Sequence, residues 1–496
     1  MIPSVEIKKQ DGQTGSVPPG PEGILAIIAP AKQGPSYAQS FARPDLAFTA
    51  YNIGKLAEDA AYQLGIGKPV VLVRPTTSIA GTYSAVEIAR VGSSTSAPTA
   101  NAAEPQGEFD CAILITKGGT RGVDGIEYQV AVDAAAHGAV ESSTPNYTGV
   151  KRLGTAVTIE IFDPRGVSTG AKIDLAAGTL DAGDLITFSL HGPKMNSGDL
   201  TNALEALRVA KLPWECVLID GIDADDTVVG ALDLWLEARE AEGKFKMFAT
   251  NTRLKGPSES EGAYRNAMQT VAANMASIRG AVGSDGGALV SPLRGVRMPT
   301  PTSVALCRRL MSQPVSVDAA RVKDGPIAGF KLEDVRGNPK YHDERMTPGL
   351  DDLRLVAMRS FEDRDGAFIN NPVAISSTGS DYVYVQHIRV MNKACARAFF
   401  LLEGLLSDGV QADLTTNPLT ILESEAAHIE ELINDDLQAT ILRPRDVSAI
   451  VFELSRVDDL SSNSGAILTG TVSLIGLKYI KKFSVNARYV RSLAGG

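Results

Sequence analysis

The sequence predicts a multidomain protein of α/β and α+β class, in which a mixed-sheet core carries an inserted β-rich domain and ends in extended strand arms. Three observations predict this. Buried strands alternate with helices near the start of the chain and again after residue 196. Short strands separated by Gly- and Asp-rich turns fill the region between, and strand-like segments lie at both chain ends.

These patterns divide the chain into five expected parts. They are an N-terminal arm and linker at 1–22, the first part of the core at 23–92, the inserted β-rich domain at 93–196, an α/β domain at 197–370, and a C-terminal domain with a terminal strand arm at 371–496.

The first part of the core has the order strand, helix, strand. ILAIIAP (24–30) and KPVVLVRP (68–75) are apolar runs typical of buried strands, and the second half of LAFTAYNIGKLAEDAAYQLG (46–65) is predicted to be helical. In the inserted domain the predicted strands include CAILIT, EYQVAV and TAVTIEIF, each followed by turn residues.

The α/β domain alternates helices with buried strands. SGDLTNALEALRVAK (197–211) is predicted to be a helix capped by its Ser or Asp, and DDTVVGALDLWLEAREAEGK (225–244) a helix capped by Asp226 or Thr227. CVLID and FKMFAT are the buried strands beside them, and AYRNAMQTVAANMASIRG (263–280) is a further helix, so a partly parallel sheet is expected.

Two helices and two strands are predicted near the C-terminus. Apolar residues fall at helical spacing from Ile388 to Leu405 and from Leu422 to Leu437, and AIVFELSRV (449–457) follows as a strand. The last strand is predicted within Leu477–Val490, where every second residue is apolar except for Lys481. Such a long regular edge strand is an aggregation hazard if it is left open, so a partner is expected.

Composition excludes several classes of protein. The chain has 496 residues and a formal net charge of −10, which argues against a nucleic-acid binder. Its 4 cysteines are dispersed, which opposes a zinc site or a disulfide framework. The start lacks the pattern of a signal peptide, and the early apolar run is too short to span a bilayer. We therefore expect synthesis in a cytoplasm, no membrane insertion and no cofactor.

Three short motifs match catalytic or ligand-binding patterns in part. Gly166-Val-Ser168-Thr-Gly170 matches the nucleophile-elbow pattern, but strand-like sequence follows it where a helix is required, so a hairpin turn is favoured. The acidic cluster Asp220–Asp226 lacks the Gly and Glu of a calcium loop and is interpreted as a strand-end loop that caps the next helix. Lys117–Gly122 is interpreted as a strand-end turn.

The five histidines show no metal-ligand spacing. The segment His342–Arg345 is interpreted as a polar loop. With no assembled nucleophile, base and oxyanion hole, the sequence predicts a protein that is not an enzyme.

Several segments, in order, resemble the contractile tail sheath family of phage tails, R-type tailocins and related injection systems. IPSVEI resembles that family's N-terminal strand, and ILAIIAPAKQGP the buried strand after it. DLAFTAYNIGKLAEDAAYQLGIGKPVVLVRP resembles its helix and following strand, and GSDYVYVQHIRVMNKACARAFF the strand that enters a long helix. Glu6 stands where the family usually has an aromatic residue, and region 93–196 resembles its variable outward insertion.

The resemblance implies a structural subunit that polymerises as stacked rings around an inner tube, within a virion tail or injection particle assembled in a bacterial cytoplasm. Contraction would drive the tube through a target envelope. The implied partners are other copies of the chain, the inner tube protein, and the baseplate and tail-terminator proteins.

The resemblance also implies where subunits meet. Terminal strands would pair between subunits, through Val5, Ile7, Leu477, Tyr479, Lys481, Phe483 and Val485. An inner-tube contact is expected on the acidic side of the last helix, at Glu425, Glu430 and Glu431, although such a charge run is more often a solvated face. Two alternatives stay open: a cytoplasmic α/β hydrolase-like enzyme and a non-contractile virion structural protein.

Overall fold

A computed structural model describes residues 21–132, 147–163, 165–256, 258–295, 297–333, 339–377, 379–406, 409–461 and 467–481. Val5, Ile7, Phe483 and Val485, which the sequence analysis places in inter-subunit strands, lie outside the described residues. The chain divides into a core unit (1–315 and 319–388) and a C-terminal unit (316–318 and 389–496). The fivefold division expected from the sequence stays a prediction.

The described part of the chain is mixed α/β with several sheets, which confirms the predicted fold class. The first elements are β1 (Leu25–Ile28), β2 (Gln39–Phe41), α1 (Pro44–Tyr51), α2 (Lys55–Leu64) and β3 (Val70–Val73). The inserted region contributes β4 (Thr82–Tyr83), β5 (Glu87–Ala89), β6 (Pro98–Ala100), β7 (Phe109–Lys117), β8 (Gly119–Thr120), β9 (Glu127–Val132), β10 (Lys151–Arg152), β11 (Thr158–Phe162), β12 (Ser168–Leu175), β13 (Thr179–Leu180) and β14 (Leu185–His191).

Helices and strands alternate in the next part of the chain. They are α3 (Ser197–Val209), β15 (Cys216–Ile219), α4 (Asp226–Ala241), β16 (Met247–Asn251), α5 (Glu261–Ala272), β17 (Gly280–Gly283), β18 (Gly286–Val290), β19 (Arg297–Pro301), α6 (Thr302–Ser312), β20 (Phe330–Lys331), β21 (Met358–Phe361), β22 (Arg364–Ile369) and α7 (Val385–Gly404). The last elements are β23 (Ala412–Asp413), β24 (Thr420–Ile421), α8 (Glu423–Leu437), β25 (Val447–Leu454) and β26 (Gly470–Gly476).

The core unit is built on a six-stranded sheet of order β17-β16-β15-β1-β3-β2. Its strands are parallel except for β2, which is antiparallel to β3. Successive residues of β1 point to opposite faces: Leu25 and Ile27 pack in the cluster that includes α1, α2 and α6, and Ala26 and Ile28 in the cluster that includes α3, α4 and α5. Burial on both faces explains why β1 is apolar at every position.

The outer edge of β17 is covered within the core unit. The Ile375 N–H donates to the Gly280 carbonyl at 3.1 Å, and the Val356 N–H donates to the Val282 carbonyl at 2.9 Å. Irregular segments thus occupy backbone groups that a further strand would use, and the sheet is closed at this edge.

Two helix caps differ from the predicted ones. Asn196 caps α3 by accepting from the Asp199 N–H at 2.9 Å, and the Asp199 side chain accepts from the Asn196 N–H in return. Asp225 caps α4 by accepting from the Val228 N–H at 2.8 Å, so neither Asp226 nor Thr227 is the cap. In both helices the true cap lies one or more residues before the predicted one, because it must keep an extended backbone.

The inserted region forms antiparallel sheets around an apolar cluster, in agreement with its predicted strand-rich character. β7 pairs with β9 and β14, and β12 pairs with β11 and β6. Alternate residues of these strands, such as Ile113, Ile159 and Ile173, are fully buried in one cluster.

The predicted last strand, within Leu477–Val490, lies only partly in the described residues, which reach Lys481, and its pairing with a neighbouring subunit stays a prediction. Within the chain the strand is β26, Gly470–Gly476, and the described residues Leu477–Lys481 are not in a strand. The β25–β26 ladder ends at Gly476 because β25 begins at Val447, which lies opposite Gly476. Beyond that point β25 has no residue to pair with Leu477–Lys481.

Candidate assembly interface

β25 and β26 form an isolated two-stranded antiparallel sheet in the C-terminal unit. Phe452 and Leu454 point to its inner side and are buried, whereas Val451 and Ile475 point outward and are 40% and 59% exposed. A lone hairpin is marginally stable in water, so the support it receives on its edges and faces decides its properties.

At Phe452 and Leu454, the edge of β25 that faces away from β26 is occupied by side chains of α8. The Asn434 amide accepts from the Phe452 N–H at 2.7 Å and donates to the Phe452 carbonyl at 2.9 Å. The Glu430 carboxylate accepts from the Leu454 N–H at 2.7 Å. A side-chain amide that both donates and accepts replaces the two bonds that a neighbouring strand would make.

Arg456 holds Glu430 in place. Its guanidinium donates to both Glu430 oxygens, at 2.7 and 3.0 Å, and also pairs with Glu423. This fork geometry holds the pKa of the Glu430 carboxyl below its usual range. Glu430 therefore carries a charge that is already paired within the unit.

The free edge of the hairpin can be located from the same contacts. In an antiparallel pair, opposite residues alternate between those that bond each other and those whose backbone groups point away. Phe452 bonds outward to Asn434 and lies opposite Val472, so Val472 must also point its N–H and carbonyl away from β25. The same alternation applies to Leu474, opposite Ile450. Among the described residues none hydrogen-bonds to this outer edge of β26.

The segment after β26 contacts its own unit. The Tyr479 hydroxyl donates to the Ser316 carbonyl at 2.8 Å, and burial raises the pKa of Tyr479 to about 12. Lys481 forms a 2.6 Å ion pair with Asp318. Leu477 is half-buried, whereas Ile480 is 73% exposed. The proposed pairing of Leu477, Tyr479 and Lys481 with a neighbouring subunit stays a prediction.

The acidic side of α8 is not uniform. Glu431 is exposed, Glu425 is half-buried, and Glu430 is paired as described. Asp436 pairs with Arg397. The tube contact predicted for this side stays a prediction, but only part of its charge is available to an external partner.

Ser168 does not lie on a nucleophile elbow. It is the first residue of β12, so strand follows it as predicted, and its hydroxyl donates to Glu160 Oε1 at 2.6 Å. Lys117–Gly122 begins at the last residue of β7 and includes the short strand β8, which confirms that it follows the end of a strand.

The acidic loop after β15 is joined to α2. Asp220 pairs with Lys55 at 2.9 Å, and the buried carboxyl of Asp59 lies beside Asp220. Burial and the neighbouring Asp220 raise the pKa of Asp59 well above its ordinary value. A cavity of about 40 Å³ lies against these residues. Among the described residues no group of three or more His, Cys, Asp or Glu is placed to hold a metal ion.

His342 is buried rather than part of an open polar loop. Its ring nitrogens lie 2.8 Å from Glu261 and 2.8 Å from Glu344. Burial opposes a charge on this ring, but the hydrogen bonds to the two carboxylates outweigh burial and raise the pKa of His342. The cluster joins residues 342–344 to α5.

Sequence reasoning missed Asn434 and Arg456. Asn434 lies four residues after Glu430, on the same side of α8, and this polar pair beside the apolar stripe of Ile429 and Ile433 was the available signal. Arg456 lies 26 residues from Glu430, a distance that no local pattern spans.

A sequence profile described as the N-terminal domain of DUF2586 matches residues 2–372, about three-quarters of the chain. The chain belongs to the DUF2586 family. None of the curated proteins is significantly similar to this DUF2586 chain.

Several solved structures are similar to this DUF2586 chain at low identity. A sheath tail protein from Desulfitobacterium hafniense has a TM-score of 0.47 and 12% identity, covering 96% of this chain and 100% of that one. A sheath tail protein from Listeria innocua has a TM-score of 0.44 and 10% identity, covering 93% and 96%. A chain of the contracted anti-feeding prophage baseplate has a TM-score of 0.42 and 11% identity, covering 98% of each.

In the part of the chain that the structure describes, no helix is both long and apolar enough to cross a membrane.

Proposed function

We propose that this DUF2586 chain is the subunit of a contractile tail sheath. Copies of it polymerise as stacked rings around an inner tube, and contraction drives the tube through a target envelope. The polymer is part of a virion tail or injection particle assembled in a bacterial cytoplasm, and its ends meet baseplate and tail-terminator proteins. The chain itself is not an enzyme.

One observation carries the proposal: the hairpin β25–β26 has a free edge at Val472 and Leu474 among the described residues. A row of unpaired N–H and carbonyl groups is a template for another strand. Strand addition supplies main-chain hydrogen bonds, each worth about 0.5–1.5 kcal/mol net, and alternate side chains supply specificity.

The added strand comes from a neighbouring copy. Its C-terminal segment within Leu477–Val490 has the alternating pattern of a strand, and Val5 and Ile7 of another copy join the same composite sheet. Inside one chain, β25 has no residues left to pair with that segment, because Val447 already lies opposite Gly476. A neighbour therefore provides the pairing that β25 cannot offer to this segment.

The test is a chain truncated after Gly476, coexpressed with the inner tube protein and compared with the full chain by negative-stain microscopy. We expect hollow striated cylinders from the full chain and none from the truncated chain. Hydrogen exchange at β1, β15 and β25 checks that the truncated chain is folded. Cylinders of normal length from the truncated chain would contradict the proposal.

A Ser168→Ala variant distinguishes the sheath proposal from the hydrolase alternative. The sheath proposal expects this variant to assemble normally. Loss of an esterase activity in the variant would favour the enzyme. Cylinders of one fixed length under all conditions would favour a non-contractile structural protein. Two lengths and diameters, before and after triggering, are expected of a contractile sheath.

A further inference from the structure

We infer that Asn434 and Glu430 act as an edge plug, which makes the hairpin β25–β26 accept a strand on the β26 side only. The inference rests on the proposed function for the identity of the incoming strand, which belongs to a second copy of this chain. The plug itself is a property of the C-terminal unit and can be tested without assembly.

The geometry of a helix lying along a strand makes this plug possible. Residues four apart on a helix are about 6 Å apart along its axis, and residues two apart on a strand are about 6.6 Å apart. Glu430 and Asn434 therefore match the spacing of Leu454 and Phe452, and each reaches the backbone of one outward-pointing residue. The polar side chains of α8 imitate the edge of a strand.

The plug is built to persist. The Asn434 amide uses both its donor and its acceptor on one residue, so no rotation of the amide improves the contact. Glu430 is held by the guanidinium of Arg456. The same guanidinium also donates to the Leu454 carbonyl at 2.8 Å. Beyond these contacts, the register of β25 shifts between Val447 and Ala449, and such a bulge also opposes pairing at an edge.

The two edges of one small sheet thus differ in kind. A hairpin with two open edges would add strands on both sides and could grow without limit, whereas a single open edge limits each sheet to one defined partner surface. The consequence is directional: an incoming strand binds beside Val472 and Leu474, and never beside Phe452.

Hydrogen exchange of the unmodified chain gives the first test. We expect the Phe452 and Leu454 amides to be protected by their α8 partners, and the Val472 and Leu474 amides to exchange at least tenfold faster in the unassembled chain. Exchange at Phe452 as fast as at Val472 would overturn the inference, whatever the chain does in assembly.

Two variants test the consequence by sedimentation of the isolated chain. Val472→Pro blocks the open edge, since proline lacks the outward N–H but is tolerated on an edge strand. We expect this variant to stay monomeric. Adding Asn434→Leu, which removes the plug at similar volume, should restore concentration-dependent association through β25. If Asn434→Leu impairs folding, Asn434→Asp keeps the acceptor for Phe452 and loses only the donor.

The outcomes separate the two proposals. A double variant that stays as monomeric as Val472→Pro alone, while its Phe452 amide has become exposed to exchange, would overturn the plug. Normal sheath assembly by Val472→Pro alone would instead contradict strand addition at β26 and leave the plug to be decided by the exchange data.

Discussion

The six-stranded sheet of the core unit and the β25–β26 sheet of the C-terminal unit differ in how their edges are covered. In the core unit, the six-stranded sheet is covered at β17 by the backbone of Val356 and Ile375, and its five parallel strands are buried. In the C-terminal unit, α8 side chains occupy the outward backbone groups of Phe452 and Leu454 on β25, whereas none of the described residues hydrogen-bonds to the outer edge of β26. The first sheet is covered at its β17 edge within the chain, and the second is suited to accept a strand from another copy.

This difference also separates stability from assembly. The buried strands of the core unit need no external partner, so the core unit is expected to fold in the free subunit. A two-stranded sheet is marginal by itself, and here it depends on α8 and on whatever strand it accepts. Assembly should therefore stabilise the C-terminal unit far more than the core unit.

The largest contrast is expected from matched phenylalanine truncations. Phe248 is fully buried in the core unit, and Phe248→Ala should cost about 3–5 kcal/mol and raise hydrogen exchange across the six-stranded sheet. Phe452→Ala should raise exchange only in α8, β25 and β26, because Phe452 packs within that hairpin. Increased exchange in β1 or β15 of the Phe452→Ala variant would show that the two sheets are not independent.

A smaller effect is expected at the acidic side of α8. Glu431 is exposed, so Glu431→Lys should leave the melting temperature unchanged and weaken tube-templated assembly if the tube is basic there. Glu430→Lys should instead destabilise the hairpin, because it breaks the contacts with Arg456 and the Leu454 N–H. If Glu431→Lys assembles as well as the unmodified chain, Glu431 is a solvated side chain and does not contact the tube.

The smallest effect is expected from His342 in the core unit. Its pKa is raised in the folded state by Glu344 and Glu261, with Lys255 and Asp285 also in the cluster. Because the folded pKa lies above the unfolded value of about 6.5, the stabilisation is full below that pH and is lost as pH rises through the folded pKa.

Urea unfolding at several pH values tests this, with His342→Gln as the control. The stability difference between the unmodified chain and His342→Gln should shrink as the pH rises above about 6.5 and through the folded pKa. A difference that stays constant over this range would show that His342 is not protonated in the folded chain.

The sequence predicted what local patterns determine. The apolar runs of β1, β3 and β15 are continuous because both faces are buried, so their position could be predicted directly. α1 was missed, although Pro44 stands at its first position, a common helix start. Its moderate length and mixed face left no strong periodicity to detect.

The candidate interface was only partly predictable. The alternation in Leu477–Val490 indicated a strand but could not show that β25 is already fully paired by Gly470–Gly476. The charges on α8 indicated a polar face, yet whether Glu430 faces solvent or Arg456 depends on tertiary packing. The polar pair Glu430 and Asn434 was visible beside the apolar stripe of α8, but the partner of Asn434 was not, because that partner is the backbone of Phe452, and backbone groups leave no trace in a sequence pattern.

The central claim is that a neighbouring strand binds the outer edge of β26, and one substitution tests it most directly. Val472→Pro removes one outward N–H, and Val472→Thr is the matched control that keeps it. Both are coexpressed with the inner tube protein and imaged, with hydrogen exchange at β25 confirming an intact hairpin. The account predicts cylinders from Val472→Thr and none from Val472→Pro. Cylinders of equal yield and length from Val472→Pro would contradict it.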